Sequence, residues 1–394
     1  MQEKTSNRAA SVKPSATTTI NAKANKLRAD GVDVVNLSIG EPDFDTPEHI
    51  KLAAIRAIQE GHTKYTAVDG MPSLKEAIIA KFKRENNLVF TRDQIIVSDG
   101  AKQSLYNLTQ ALLNPGDEVI IPAPYWVSYP SMVKLAEGTP VYISTTVEQR
   151  FKINAKQLKA AITPKTRLLF LNSPSNPTGM VYSSKELSEL AVVLLENPQI
   201  IIATDDIYEH ILWTKAPFVN ILNVCPELAN QTVVVNGVSK SYAMTGWRIG
   251  YAAGPKWLIS AMNKIQSHST SNPTSISQYA TVEALNGDQS FIHELKRVFK
   301  ERHDIVQTSL NSMPGVICPP ADGAFYLFPC VQKAIEKYNL ADDVALCEKI
   351  LEEAHVAVVP GSEFGTPGFI RISYASSIET LQEALKRLAP VISA

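Results

Sequence analysis

Short apolar runs rich in β-branched residues recur along the chain: QIIVS (94–98), EVIIP (118–122), RLLFLNSP (167–174), QIIIATD (199–205), TVVVNG (232–237) and IGYAAG (249–254). Each predicts a strand that is apolar on both faces. Between most of them the apolar positions fall at helical spacing, as in AKQSLYNLTQALLN (101–114) and SSKELSELAVVLLE (183–196), so helices alternate with the strands. A strand apolar on both faces needs cover on both, and the pattern therefore predicts an α/β fold with a mostly parallel sheet and helices on both faces. In such sheets the reactive groups gather at the carboxyl ends of the strands.

After about residue 285 the pattern changes. FIHELKRVFKERHDIVQTSLNSM (291–313) predicts one long helix, and shorter elements follow: AFYLFPC (324–330), the helix-like ADDVALCEKILEEA (341–354), HVAVVPG (355–361) and GFIRISYA (368–375). The expectation is a large α/β domain over 46–290 and a smaller α+β domain over 291–394, joined by the N-terminal segment 1–45.

Composition narrows the classes. The chain has 394 residues, 45% hydrophobic and 20% charged, with a formal net charge of -1, a balance that predicts a soluble protein with no attraction to nucleic acid or to an anionic membrane. MQEKTSNRAA at the start lacks the apolar core of a signal peptide, and no apolar stretch reaches the length of a membrane span, so a cytoplasmic protein is expected. The four cysteines, Cys225, Cys318, Cys330 and Cys347, are scattered and predict neither a disulfide framework nor a metal site.

Candidate chemistry sits where TVVVNG ends and Ser239, Lys240 and Ser241 begin. A lysine sheltered at a strand exit has a lowered pKa and can attack a carbonyl to form a Schiff base. Arg248, after Gly246 and Trp247, carries a planar fork of donors suited to phosphate. Taken singly, Lys240 reads better as a solvated loop residue and Arg248 as a surface ion-pair partner.

Taken whole, GVSKSYAMTGWRIG (237–250) resembles, position by position, the lysine-attachment signature of the class I and II aminotransferases, fold-type I enzymes that use pyridoxal 5′-phosphate. The resemblance extends over motifs from Val35 to Tyr374. It implies that Lys240 holds the cofactor as a Schiff base, is displaced by the incoming amino acid, and then moves a proton at the substrate α-carbon. Ser239 and Arg248 are implied as cofactor contacts beside it.

Further residues follow from the same resemblance. Asp205 and Tyr208, in QIIIATDDIY, match the groups that hold the ring nitrogen and the ring oxygen; taken alone, Asp205 or Asp206 reads better as a cap on the next helix. Asn176, in Asn176-Pro177-Thr178-Gly179, matches a second contact to the ring oxygen, although the tetrapeptide is also a generic turn. Gly100, Ala101 and Lys102, in VSDGAKQSL, match a phosphate cup at a helix start, or an ordinary connection. Trp126, in APYWVSY, matches the aromatic that stacks on the ring, or is a core tryptophan. Tyr65, in HTKYTAVDGMPSLKEAI, matches a residue that reaches the other subunit's site in a homodimer; otherwise it is a surface tyrosine.

For substrate, Arg371 in GFIRISYA and Gly40 in NLSIGEPDFDTP match the α-carboxylate pocket, which implies amino acids and 2-oxo acids as small-molecule partners. Within the family the likeness is to the bacterial branch that acts on aspartate, where Lys102 and the segment around Lys13 and Ser15 would engage the distal carboxylate. The implied reaction passes the amino group of L-aspartate to 2-oxoglutarate, with prephenate as a further acceptor. An aminotransferase for aromatic amino acids, alanine or kynurenine, or a β-lyase or aminocyclopropane carboxylate synthase with the same lysine and aspartate, remains compatible with these motifs. A non-catalytic sensor domain is disfavoured, since no DNA-binding domain is expected alongside.

Overall fold

The computed structural model describes residues 5–12, 14 and 16–394. After a short first strand, β1 (Val35–Asn36), the two-faced apolar runs become β2 (Ile95–Ser98), β3 (Glu118–Ala123), β5 (Thr166–Asn172), β6 (Ile201–Asp205), β7 (Thr232–Gly237) and β8 (Gly250–Ala253). With β4 (Thr139–Ser144) they form one seven-stranded sheet in the order β2-β8-β7-β6-β5-β3-β4. β4, β3, β5, β6 and β7 pair in parallel, while β8 runs antiparallel to both β7 and β2. The reversal at β8 brings both ends of the loop 238–249 to the carboxyl end of β7.

Alternate residues of the strands enter two cores. Val119, Ile121, Leu168, Phe170, Val233 and Val235 pack with the helices Ala101–Leu112, Ser128–Leu135 and Lys256–Ser267. Ile120, Leu169, Leu171, Ile202 and Val234 pack on the opposite side with Glu48–Gln59, Pro72–Asn86, Ser184–Leu195 and Ser275–Asn286. Burying each such side chain is worth about 1.5–3 kcal/mol, which is why the sheet needs cover on both faces. Strand β4 lies outside the predicted set because Thr139, Tyr142 and Ser144 are exposed and its sequence carries no two-faced apolar run, whereas β2, at the opposite edge, is buried throughout.

The long helix is observed over Ser290–Asn311. Its Ile292 joins the core of the large sheet, and Leu295, Phe299, Val306 and Leu310 join a second core. That second core holds the helix Ile378–Ile392 and the short strands β9 (Tyr326–Leu327), β10 (Val356–Ala357) and β12 (Ile370–Ser373), while Val359 of β11 (Val359–Pro360) packs in a separate cluster with Phe151, Met180, Phe328 and Phe364. β11, β12 and β9 make an antiparallel sheet, and β10 pairs in parallel with β1, which carries Val35 and Leu37 of the N-terminal segment into this core. The helix read over 341–354 is an α-helix at Asp343–Lys349 that widens to a π-turn at Ile350–Ala354. No helix among the described residues is long and apolar enough to cross a membrane.

Candidate active site

The carboxyl ends of β5, β6 and β7 face β9, β12 and the loop after β1 across a cavity of about 430 Å³. Gly40, Ala101, Lys102, Trp126, Asn176, Asp205, Tyr208, Ser239, Lys240, Arg248 and Arg371 all line it. Residues read from motifs more than 300 positions apart thus meet in one place. Lys13 lies outside the described residues. Tyr65 is 91% exposed and lies away from the cavity lining.

Lys240 lies just past Val238 and Ser239 in the loop after β7, and its Nζ donates to the carbonyl of Gly40 at 2.6 Å. Burial pulls its pKa down to about 8; Arg248 and Arg371 act in the same direction, against Glu41 and Asp205. This is the physical consequence of placing an ammonium at a strand mouth: the neutral amine becomes accessible near neutral pH.

Asp205 ends β6. No helix follows it, since the chain turns through 207–210, and the capping alternative therefore falls. Tyr129 donates to Asp205 Oδ2 at 2.6 Å, while Oδ1 is buried without a partner among the described residues. Burial pushes its pKa up to about 6, against the hydrogen bonds from Tyr129 and the Ile207 backbone and the charge of Lys240. A buried carboxylate oxygen with nothing to accept is poised for a donor supplied by a ligand.

Asn176 is held from below: its N–H donates to Asn172 Oδ1 at 2.7 Å, and Asn172 Nδ2 donates to the Asp205 carbonyl at 2.8 Å. Arg371, buried on β12, donates through Nη1 to Asn176 Oδ1 at 3.1 Å and through Nη2 to the Ser38 carbonyl. Its Nε has no partner among the described residues, and its guanidinium lies over the rings of Tyr326 and Phe364. All of these neighbours are neutral, so the buried charge faces the cavity without a counter-ion among the described residues.

At the far end, Gly100 precedes the helix Ala101–Leu112 with φ 83°. That backbone conformation is one L side chains rarely adopt, which favours glycine here, and a Cβ on it would crowd the Arg248 guanidinium at 2.2 Å. Arg248 itself, left-handed at φ 56°, is exposed and spends donors on the carbonyls of Thr245 and Asp99 at 2.9 and 3.1 Å. Lys102 Nζ stands 5.0 Å from the Trp126 ring; partial burial and the Arg248 charge lower its pKa.

Sequence reasoning missed Tyr129, Tyr326, Asn172 and Ser38, each of which holds a predicted residue. The tyrosines had one available signal: a tyrosine in an otherwise apolar run needs a partner for its hydroxyl when buried. It also missed a buried network behind Ser241. His210 Nδ1 lies 2.9 Å from Ser241 Oγ and its Nε2 lies 2.9 Å from Glu85 Oε2, while fully buried Lys81 pairs with Glu209. Glu85, Glu209 and His210 approach one another closely enough to hold a metal ion, but the Lys81 ammonium already serves as their cation.

Comparisons with known proteins give the chain's family. The family model for aminotransferase class I and II matches residues 32–388. The chain is 56% identical to an aspartate/prephenate aminotransferase of Nitrosomonas europaea, across 99% of this chain and 100% of that one. It is 52% identical to an aspartate aminotransferase of a Bacillus species, across 98% and 99%. Among solved structures, the aspartate aminotransferase of Rhizobium meliloti superposes with a TM-score of 0.94 at 48% identity, covering 99% of each chain. That of Thermus thermophilus with maleate gives 0.93 at 44% identity, covering 99% and 100%.

Proposed function

Since this chain belongs to the class I and II aminotransferases, which depend on pyridoxal 5′-phosphate, we propose that it transfers the amino group of L-aspartate to 2-oxoglutarate, giving oxaloacetate and L-glutamate. The observation that carries this reading is the meeting of Lys240, Asp205 and Arg371 around one cavity, with Asp205 Oδ1 and Arg371 Nε both buried and unpartnered among the described residues. The donor set suits the cofactor: Asp205 Oδ1 for the protonated ring nitrogen, Asn176 and Tyr208 for the ring oxygen, and the Trp126 face for the ring. Gly100, Ala101, Lys102, Ser239 and Arg248 suit the phosphate.

When bound, pyridoxal 5′-phosphate supplies an electron-withdrawing ring that stabilises negative charge at the substrate α-carbon. Lys240 attaches the cofactor and carries the proton to and from the α-carbon; its lowered pKa makes the free amine available as a base, a role worth a factor of about 10²–10⁴. Arg371 binds the α-carboxylate in a forked pair, and Gly40 lets the chain come close beside it. Lys102, at the rim, and Lys13, outside the described residues, are assigned to the distal carboxylate. Exposed Tyr65 is assigned to the site of a second copy in a homodimer.

The decisive experiment loads the protein with pyridoxal 5′-phosphate, adds single amino acids and follows conversion of the cofactor to its amine form by absorbance. Aspartate and glutamate are expected to convert it rapidly, and alanine and aromatic amino acids slowly. Failure of both acidic amino acids would remove the substrate assignment, and release of ammonia with pyruvate would replace the transferase by a lyase. The likeness to the aspartate/prephenate enzyme supports prephenate as a second acceptor, tested by regenerating the aldehyde form with prephenate.

A further inference from the structure

Tyr326 lines the cavity from β9 and has no part in the assignments above. It is fully buried, and its two ends serve different neighbours. Its hydroxyl lies 2.9 Å from the hydroxyl of Tyr208, its one hydrogen-bond partner among the described residues. Its ring lies under Arg371, with Cζ 4.6 Å from the ring centre. The same hydroxyl stands where a side chain at position 40 would be, since a Cβ on Gly40 would meet it at 2.2 Å. Arg371 from β12 and Asp205 from the end of β6 are the charges that bear on the phenol pair, the first favouring and the second opposing loss of a proton; Lys240 lines the same cavity.

A phenol has one proton to donate. Between two phenols, one must donate and the other accept. If Tyr208 is to donate to the ring oxygen of the cofactor, it can only accept from Tyr326. We propose that Tyr326 is a positioning residue with two separable parts: its hydroxyl donates to Tyr208 and so commits the Tyr208 proton to the cofactor, while its ring carries Arg371 for the substrate carboxylate. This rests on the function proposed above. Removing the Tyr326 hydroxyl makes Tyr208 a weaker donor, leaves more negative charge on the ring oxygen, and so makes the neighbouring proton of the bound cofactor harder to remove.

The test uses the cofactor-loaded enzyme and the variants Tyr326→Phe, Tyr326→Leu, Tyr208→Phe and the double variant Tyr208→Phe with Tyr326→Phe. Two quantities are read: the pH midpoint of the cofactor's visible absorbance, and the Kd for maleate, a dicarboxylate without an amino group. Tyr326→Phe is expected to raise the midpoint by about half a pH unit and to change the maleate Kd by less than about twofold. Tyr326→Leu, which also removes the ring, is expected to weaken maleate by roughly tenfold. In the Tyr208→Phe background, Tyr326→Phe should shift the midpoint no further, because the relay is already cut. An unmoved midpoint in Tyr326→Phe, a full shift in the Tyr208→Phe background, or equal loss of maleate binding in the Phe and Leu variants would each overturn the proposal. Tyr326→Met takes the place of the Leu variant if that one does not fold. A wild-type enzyme that holds the cofactor but is not converted by aspartate or glutamate would instead overturn the substrate assignment, whatever the variants show.

Discussion

Tyr129 holds one oxygen of Asp205 and leaves the other bare: the phenol donates to Oδ2 at 2.6 Å, while Oδ1 is buried with no partner among the described residues. Tyr129 is itself pinned, stacked on Phe170 at 4.5 Å between ring centres and edge-on to Trp126. The carboxylate is therefore oriented before any ligand arrives, and it is held at an energetic disadvantage.

That disadvantage is testable. The folded pKa of Asp205 is raised to about 6, so relative to the unfolded chain it loses stability as pH rises from the ordinary carboxylate range through 6. Asp205→Asn should make the cofactor-free protein more stable at pH 8, by on the order of 2 kcal/mol, while lowering kcat by at least about 10²-fold. Thermal melts at pH 5 and pH 8, together with steady-state kinetics, check both halves: the stability gain should shrink at the lower pH.

Lys240 carries the complementary penalty. Its pKa is lowered to about 8, so between pH 8 and the ordinary lysine range the unfolded chain binds a proton that the folded chain does not, and stability rises with pH across that window. In cofactor-free protein, Lys240→Met should be more stable than wild type at pH 7 by on the order of 1 kcal/mol, with the difference closing as pH is raised toward 10. Urea titrations at the two pH values measure it. The same variant should lack transaminase activity.

Gly40→Ala tests the close packing of the loop after β1. Its Cβ would come within 2.2 Å of the Tyr326 hydroxyl, and the backbone that must move carries the carbonyl bonded by Lys240. A loss of about 1–3 kcal/mol in stability and a rise in KM for amino-acid substrates are expected, with Ser38→Ala as a milder control in the same loop.

The network behind the lysine loop predicts a purely structural effect. Lys81 is fully buried against Glu209; burial alone would raise the glutamate's pKa, yet Lys81 and His210 hold it below the ordinary value. Lys81→Met should cost about 3–5 kcal/mol by leaving Glu209 buried without its main cation. Replacing Lys81 and Glu209 together, by Met and Gln, should recover much of the loss in a chemical denaturation series.

Much of this was legible in the chain itself. Two-faced apolar runs alternating with helical spacing determined the covered parallel sheet, because a strand buried on both sides has no polar face to show. The reaction class was legible through the resemblance of the Lys240–Arg248 stretch, with the Asp205, Asn176 and Arg371 motifs, to the aminotransferase signature, and such a signature is readable because each chemical demand falls on a residue type that few others can replace. Edge strand β4 was not legible, since an exposed strand lacks the run that identifies a buried one. Nor were Tyr129, Tyr326 and Asn172, whose work is to hold other residues: such a partner is defined by a distance across the fold and leaves no local pattern. Tertiary structure alone decided that Asp205 keeps one oxygen without a partner among the described residues, that burial pulls the Lys240 pKa from the ordinary 10.5 down to about 8, and that Gly40 is a glycine because a phenol from β9 stands where its side chain would be. Burial, desolvation and close contact are properties of neighbours, and the neighbours here come from segments hundreds of residues apart in the chain.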